Sequence, residues 1–160
     1  MQRIICVPTL LTLIAAATPL IAQDDAVQKE LKALQGSWKA VALEAGGQQF
    51  PNDALPDFTF VIGADGKCTG KMPQSEYTAK LTIDPSKDPK TMDNLHETGT
   101  EKGKTQYGVY KLERDKLTVC ISRPGRAKSD RPKDFTTKDT RNVLFEFKRI
   151  KEAPIEEKRP

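Results

Sequence analysis

Leu34-Gln35-Gly36-Ser37-Trp38-Lys39 marks the point where the chain changes period. On its N-terminal side Val27, Leu31 and Leu34 recur at helical spacing. This predicts a helix over Ala26–Gln35, with Asp25 as its cap and Gln28 three residues further on. Gly36 ends that helix at low steric cost. Ten residues make a weak helix alone, so the apolar stripe has to rest on other structure. On the C-terminal side the apolar residues alternate, as on a strand with one buried face. Trp38–Glu44 is the first such strand, closed by Gly46-Gly47.

The alternation continues to the far end of the chain. Phe58, Phe60 and Ile62 alternate, and Asp65-Gly66 turns the chain into Lys67–Met72. Tyr77, Ala79, Leu81 and Ile83 share one face. Pro85 and Pro89 bracket a loop before a fifth strand, Thr91–Thr98. Gln106–Leu112 and Lys116–Ser122 pair across Glu113-Arg114-Asp115, and Val143, Phe145 and Phe147 share a face of the last strand. Eight short strands joined mostly by tight turns predict an all-β domain, as an antiparallel sandwich or an up-and-down barrel. A barrel has no free edges, which suits a chain with little hydrophobic cover.

Outside residues 23–150 the pattern differs. Of the 160 residues, 37% are hydrophobic and 30% charged. Fifteen of the hydrophobic ones crowd into the first 22 residues, where Arg3 precedes an apolar run ending at Ala22. That reads as a signal peptide over 1–22, with a cut after Ala22 or near Ala15-Ala16-Ala17. It predicts an exported protein, periplasmic or secreted, with no stable membrane insertion after cleavage. The run is barely long enough to span a bilayer, and two prolines interrupt it. Residues 151–160 have no apolar pattern and read as a flexible tail. All ten aromatics fall within 23–150, which argues against disorder.

The order helix, Gly36-x-Trp38, and an Arg at the far end resembles the lipocalin and calycin signature. That resemblance implies an eight-stranded antiparallel up-and-down lipocalin-like barrel with a short N-terminal helix. The indole of Trp38 would close one end and Arg149 would pack across it. Gly108-Val109-Tyr110-Lys111-Leu112, Asp115-Lys116-Leu117, Cys120, Pro124, Arg131-Pro132, Phe135 and Pro89-Lys90-Thr91-Met92-Asp93 add to it. With Leu34–Trp38 they resemble an uncharacterised lipocalin-like domain family abundant in planctomycete bacteria, over roughly residues 30–150. One departure stands in the Glu113–Asp115 turn, where Arg114 takes a position that is usually Gly. The resemblance implies architecture and no activity.

In such a barrel Cys68, on the third strand, and Cys120, on the seventh, lie on opposite walls. A disulfide needs Cα atoms closer than about 7 Å, so the geometry favours two separate thiols.

Candidate chemistry is sparse. Gly99-Thr100-Glu101-Lys102-Gly103-Lys104-Thr105 imitates a phosphate loop but has one residue too few between its glycines, and a strand follows it. His96 is the only histidine and has no Cys or His near it in sequence, so no metal site is expected. It reads as a strand histidine at the surface or hydrogen-bonded. No catalytic constellation or cofactor motif is visible, and the chain is read as a non-enzyme.

Two binding surfaces remain. Phe58, Phe60, Tyr77, Tyr110, Phe145 and Phe147 are the candidate barrel-lining residues. They either fill the interior or line a cavity for one small, partly apolar ligand. The net charge of +4 arises from 26 Lys and Arg against 22 Asp and Glu. It concentrates in the loop 123–141, which carries seven cations and three carboxylates. Arg126, Lys128, Arg131 and Lys133 are its candidates for an anionic envelope partner. Phe135 is its one aromatic, which gives no stacking platform for specific nucleic-acid binding. The expectation is a monomeric binding module, with a filled barrel that contacts anionic partners through this loop as the alternative.

Overall fold

The computed structural model describes residues 20–150. Residues 1–19, most of the expected signal peptide, and residues 151–160, the expected tail, lie outside the described residues. The chain forms a helix α1 (Leu20–Leu34) and nine strands: β1 (Gly36–Ala45), β2 (Gln48–Gln49), β3 (Thr59–Ile62), β4 (Lys67–Met72), β5 (Ser75–Asp84), β6 (Lys90–His96), β7 (Thr105–Glu113), β8 (Lys116–Ile121) and β9 (Val143–Ile150). Each of β3 to β9 pairs antiparallel with the strand before it in sheet order β1-β3-β4-β5-β6-β7-β8-β9. A further β1–β9 ladder closes the ring, so the domain is an eight-stranded antiparallel up-and-down barrel.

Two details differ from the sequence reading. The two-residue β2 folds back on β1 as a ninth strand outside the ring. Helix α1 begins at Leu20 rather than Ala26, so Asp25 lies within it and does not cap it. Leu20, Ala22 and Gln23 are good helix formers, so the helix extends back past Asp25.

Closure depends on local irregularities. Between Ala40 and Ala42 the β1–β9 register shifts, and Val41 bulges outward at 42% exposure. A bulge bends its strand, which helps a sheet of eight strands meet itself. Arg114 adopts φ 53° in the β7–β8 turn. It takes the left-handed conformation that Gly would supply more easily, so the departure in sequence leaves the turn intact.

Inward-facing side chains fill the ring. Phe58, Phe60, Phe145 and Phe147 form an aromatic cluster with ring centroids 5.5–6.4 Å apart. Ile62, Ala79, Leu81, Ile83, Met92, Leu117 and Val119 complete the core. The space left among Phe58, Phe60, Tyr77, Met92, Val119 and Phe147 is about 20 Å³. That is room for about one water and no ligand. The barrel centre is therefore solid.

A second buried layer lies outside the ring. Val109 and Cys120 are paired across β7 and β8 and face outward, yet are 1% and 0% exposed. The long segment 122–142 between β8 and β9 covers them. Arg131 anchors it, donating to the Gly108 carbonyl (2.8 Å) and to Asp93 Oδ2 (2.9 Å), with its guanidinium 5.3 Å from the Tyr107 ring centre. Thr137 anchors its far end, donating to Glu44 and accepting from the Gly47 amide.

Candidate functional site

The two ends of the barrel are built differently. At the helix end Trp38 is fully buried, and its indole N–H donates to the Leu34 carbonyl at 2.9 Å. Arg149 lies over the indole, its guanidinium carbon 4.1 Å from the ring centre. Its nitrogens donate to the carbonyls of Gln35 and Ala33 at the end of α1 and approach Asp115. These bonds satisfy carbonyls that a helix end leaves open. Gly36 has φ 119°, and a Cβ there would stand 3.0 Å from the Arg149 guanidinium. Only glycine allows both that backbone angle and that close approach.

Deeper at this end, Tyr110 donates to Glu30 of α1 (3.3 Å), and Lys90 pairs with the same carboxylate at 2.6 Å. Tyr110 thus seals the base of the barrel, away from the mouth cavity. Burial, then the neighbouring Glu30 carboxylate, raises its phenol pKa, so it stays protonated.

The opposite end is open. A cavity of about 390 Å³ lies in the barrel mouth. Its apolar wall is made by Phe58, Phe145, Ile121, Pro56 and Pro124, with Met72 at the rim. Its polar wall is made by Tyr77, His96 and Gln106 on β5, β6 and β7. Three of the six aromatic candidates therefore reach the mouth: Phe58, Tyr77 and Phe145. Phe60 and Phe147 sit below it in the packed core.

His96 is the unusual member. It is 5% exposed, and neither ring nitrogen has a hydrogen-bond partner among the described residues. This corrects the expectation of a surface or hydrogen-bonded histidine: its partner in register is Ala79, an interior position, so β6 turns the ring inward. The ring lies against Tyr77 with centroids 4.7 Å apart. Burial pushes its pKa below the ordinary histidine value, opposed by the neighbouring Gln106 side chain, which lies close to the ring without meeting hydrogen-bond geometry, and by the Glu101 carboxylate. Buried polar groups are nearly always satisfied, so an orphaned imidazole beside a cavity is a candidate ligand contact.

No family model, curated protein or solved structure matches this chain.

Several residues shape the mouth without a sequence signal. Gly70 leaves space for Tyr77: a Cβ there would be 2.2 Å from the Tyr77 ring. At Gly99, with φ 82°, an added Cβ would stand 3.0 Å from the Tyr77 Cβ. The stretch that imitates a phosphate loop, Gly99 to Thr105, forms the rim through Gly99, Thr100 and Glu101. Gln106 holds its amide toward β8 by donating to the Ser122 carbonyl at 2.9 Å.

Both cysteines are free and buried. Cys68 points into the ring, its thiol donating to the Ala79 carbonyl, whereas Cys120 points outward under the 122–142 segment. Burial pushes both thiols up to about 12, which leaves them protonated and unreactive at neutral pH. No cluster of three or more metal-ligating side chains occurs among the described residues.

The basic loop does not present one patch. Lys128, Arg131 and Lys133 border an open groove of about 770 Å³ that also carries Asp84, Asp88 and Asp93. Arg126 borders a separate cleft with Arg123 and Arg141, faced by Asp130 and Asp139. Arg131 is 16% exposed and is engaged with Asp93, so its charge serves the loop anchor. Arg126, Lys128 and Lys133 are exposed and form no ion pair with the described residues.

Proposed function

We propose that this protein is a non-enzymatic binding module, which takes one small, partly apolar molecule into the mouth of its barrel and not into the centre. The mouth cavity carries the reading: it pairs an aromatic wall with an orphaned, buried imidazole. At about 390 Å³ it lies in the lower part of the range of ligand pockets, about 300–1,000 Å³. A two- or three-ring molecule would lie against Phe58 and Phe145 with a polar edge toward His96 and Gln106. The imidazole would turn from Tyr77 to meet it. His96 bonds to no hydroxyl or thiol, which supports a role as a binding group over one as a base. The apolar run ahead of Ala22 supports export, and the lipocalin-like resemblance supports a carrier role.

The test is a fluorescence titration with N-phenyl-1-naphthylamine, an uncharged aromatic amine. One saturable site is expected in the wild type. Ile121→Trp, which fills the mouth, is expected to weaken binding at least tenfold while the circular dichroism spectrum stays unchanged. Absent saturation, or equal affinity in the folded variant, would overturn the reading.

A further inference from the structure

We infer that the mouth site selects uncharged or cationic molecules against anionic molecules of the same ring shape. The inference rests on the proposed binding role and adds the charge class of the ligand.

The charged side chains that border the cavity are Glu76 and Glu101, with no Lys or Arg among the described lining residues. Lys104 partly offsets Glu101 at 2.7 Å. Glu76 makes no ion pair with the described residues, and Lys71, opposite it in register on β4, does not reach it at ion-pair distance. The inner wall adds no positive charge. Tyr77 keeps its proton because burial raises its pKa, and the buried His96 is neutral at pH 7. Six of the seven cations of the 122–142 segment border other clefts, and the seventh, Lys138, lies against Gly47. A carboxylate or sulfonate would thus leave water for an apolar cavity and meet only like charge there. Charges in such partly dry sites interact more strongly than in bulk water. An ammonium also gives up water but meets opposite charge at Glu76 and Glu101, a neutral hydrogen-bonding edge meets neither cost, and a neutral imidazole offers one donor and one acceptor.

Two probes with the same skeleton test this: N-phenyl-1-naphthylamine and its sulfonate, 8-anilinonaphthalene-1-sulfonate. At pH 7.5 the amine is expected to bind at least tenfold more tightly. In the double variant Glu76→Gln with Glu101→Gln, which keeps the side-chain shapes, the sulfonate should gain and the gap should close to within about threefold, as loss of like charge requires. Equal binding of the two probes by the wild type would overturn the inference and leave the mouth site standing. An unchanged gap in the double variant would also overturn it, since shape would then be the cause. Failure of both probes to saturate would remove the site itself.

Discussion

The helix end and the mouth of this barrel are made from the same kinds of residue and reach opposite outcomes. At the helix end an aromatic ring, a cation and a set of helix-terminal carbonyls satisfy one another. Trp38 donates to Leu34, and Arg149 covers the indole while donating to Ala33 and Gln35. At the mouth an aromatic ring and an imidazole are pressed together, and the imidazole has no hydrogen-bond partner among the described residues. The first arrangement is complete without any other molecule. The second is buried polarity without compensation, which costs free energy until something supplies a hydrogen bond. Under the proposed binding role, stability and binding thus reside at different ends of one ring, with the solid aromatic core between them.

Substitutions should separate the two ends, and the largest effect is expected at the closed one. Trp38→Ala removes a fully buried indole and its hydrogen bond, and should cost about 3–5 kcal/mol in urea unfolding. A cost below about 1 kcal/mol would show that the end is not closed by this ring. Arg149→Met keeps most of the bulk and removes the cation and its donors, and should cost about 2 kcal/mol. If the loss were absent, the helix carbonyls would have to be satisfied by water.

This end was legible because its residues lie in one short stretch plus a single distant Arg, and each type has a narrow reason to be there. Gly36 supplies a positive φ, Trp38 supplies the plug, and Arg149 supplies donors. The mouth was not legible in the same way. Its residues come from six strands and three loops, and no spacing links Met72, Gly70, His96, Gln106 and Pro124. A histidine is read from its neighbours in sequence, whereas the state of His96 depends on what faces it across the ring. Asp25 failed as a helix start because the residues before it are themselves helix formers. The basic loop looked like one surface because charge was counted along the chain. In space Arg131 turns inward to Asp93, five of the other six cations divide between two clefts, and Lys138 lies against Gly47.

Smaller effects are expected at the mouth. Gly70→Ala pushes a Cβ into the Tyr77 ring and should cost about 1–2 kcal/mol. It should also weaken N-phenyl-1-naphthylamine binding as Tyr77 swings into the cavity. Loss of stability with unchanged binding would place Tyr77 outside the site. The smallest effect is expected for His96→Phe, which replaces an unsatisfied ring by an apolar one. It should leave stability unchanged or raise it by up to about 1 kcal/mol at pH 7.5.

The same variant should remove a pH dependence. In the folded protein the pKa of His96 lies below its ordinary value near 6.5, so the unfolded chain binds the proton first. Stability contributed at this position is thus intact above about 6.5, falls as the pH drops below it, and levels off under the folded pKa. Urea midpoints between pH 7.5 and 5.5 should fall more steeply in the wild type than in His96→Phe. Parallel curves would contradict a buried neutral imidazole.

His96 is the only histidine in the chain, so its ring signals in the untagged protein need no assignment. The most direct test of the mouth as a binding site is therefore an NMR titration of that imidazole with pH, with and without saturating N-phenyl-1-naphthylamine. The expected result is a midpoint below 6.5 in the free protein, together with a change in the ring shifts when the probe is bound. A midpoint at or above 6.5, with ring shifts indifferent to the probe, would contradict it.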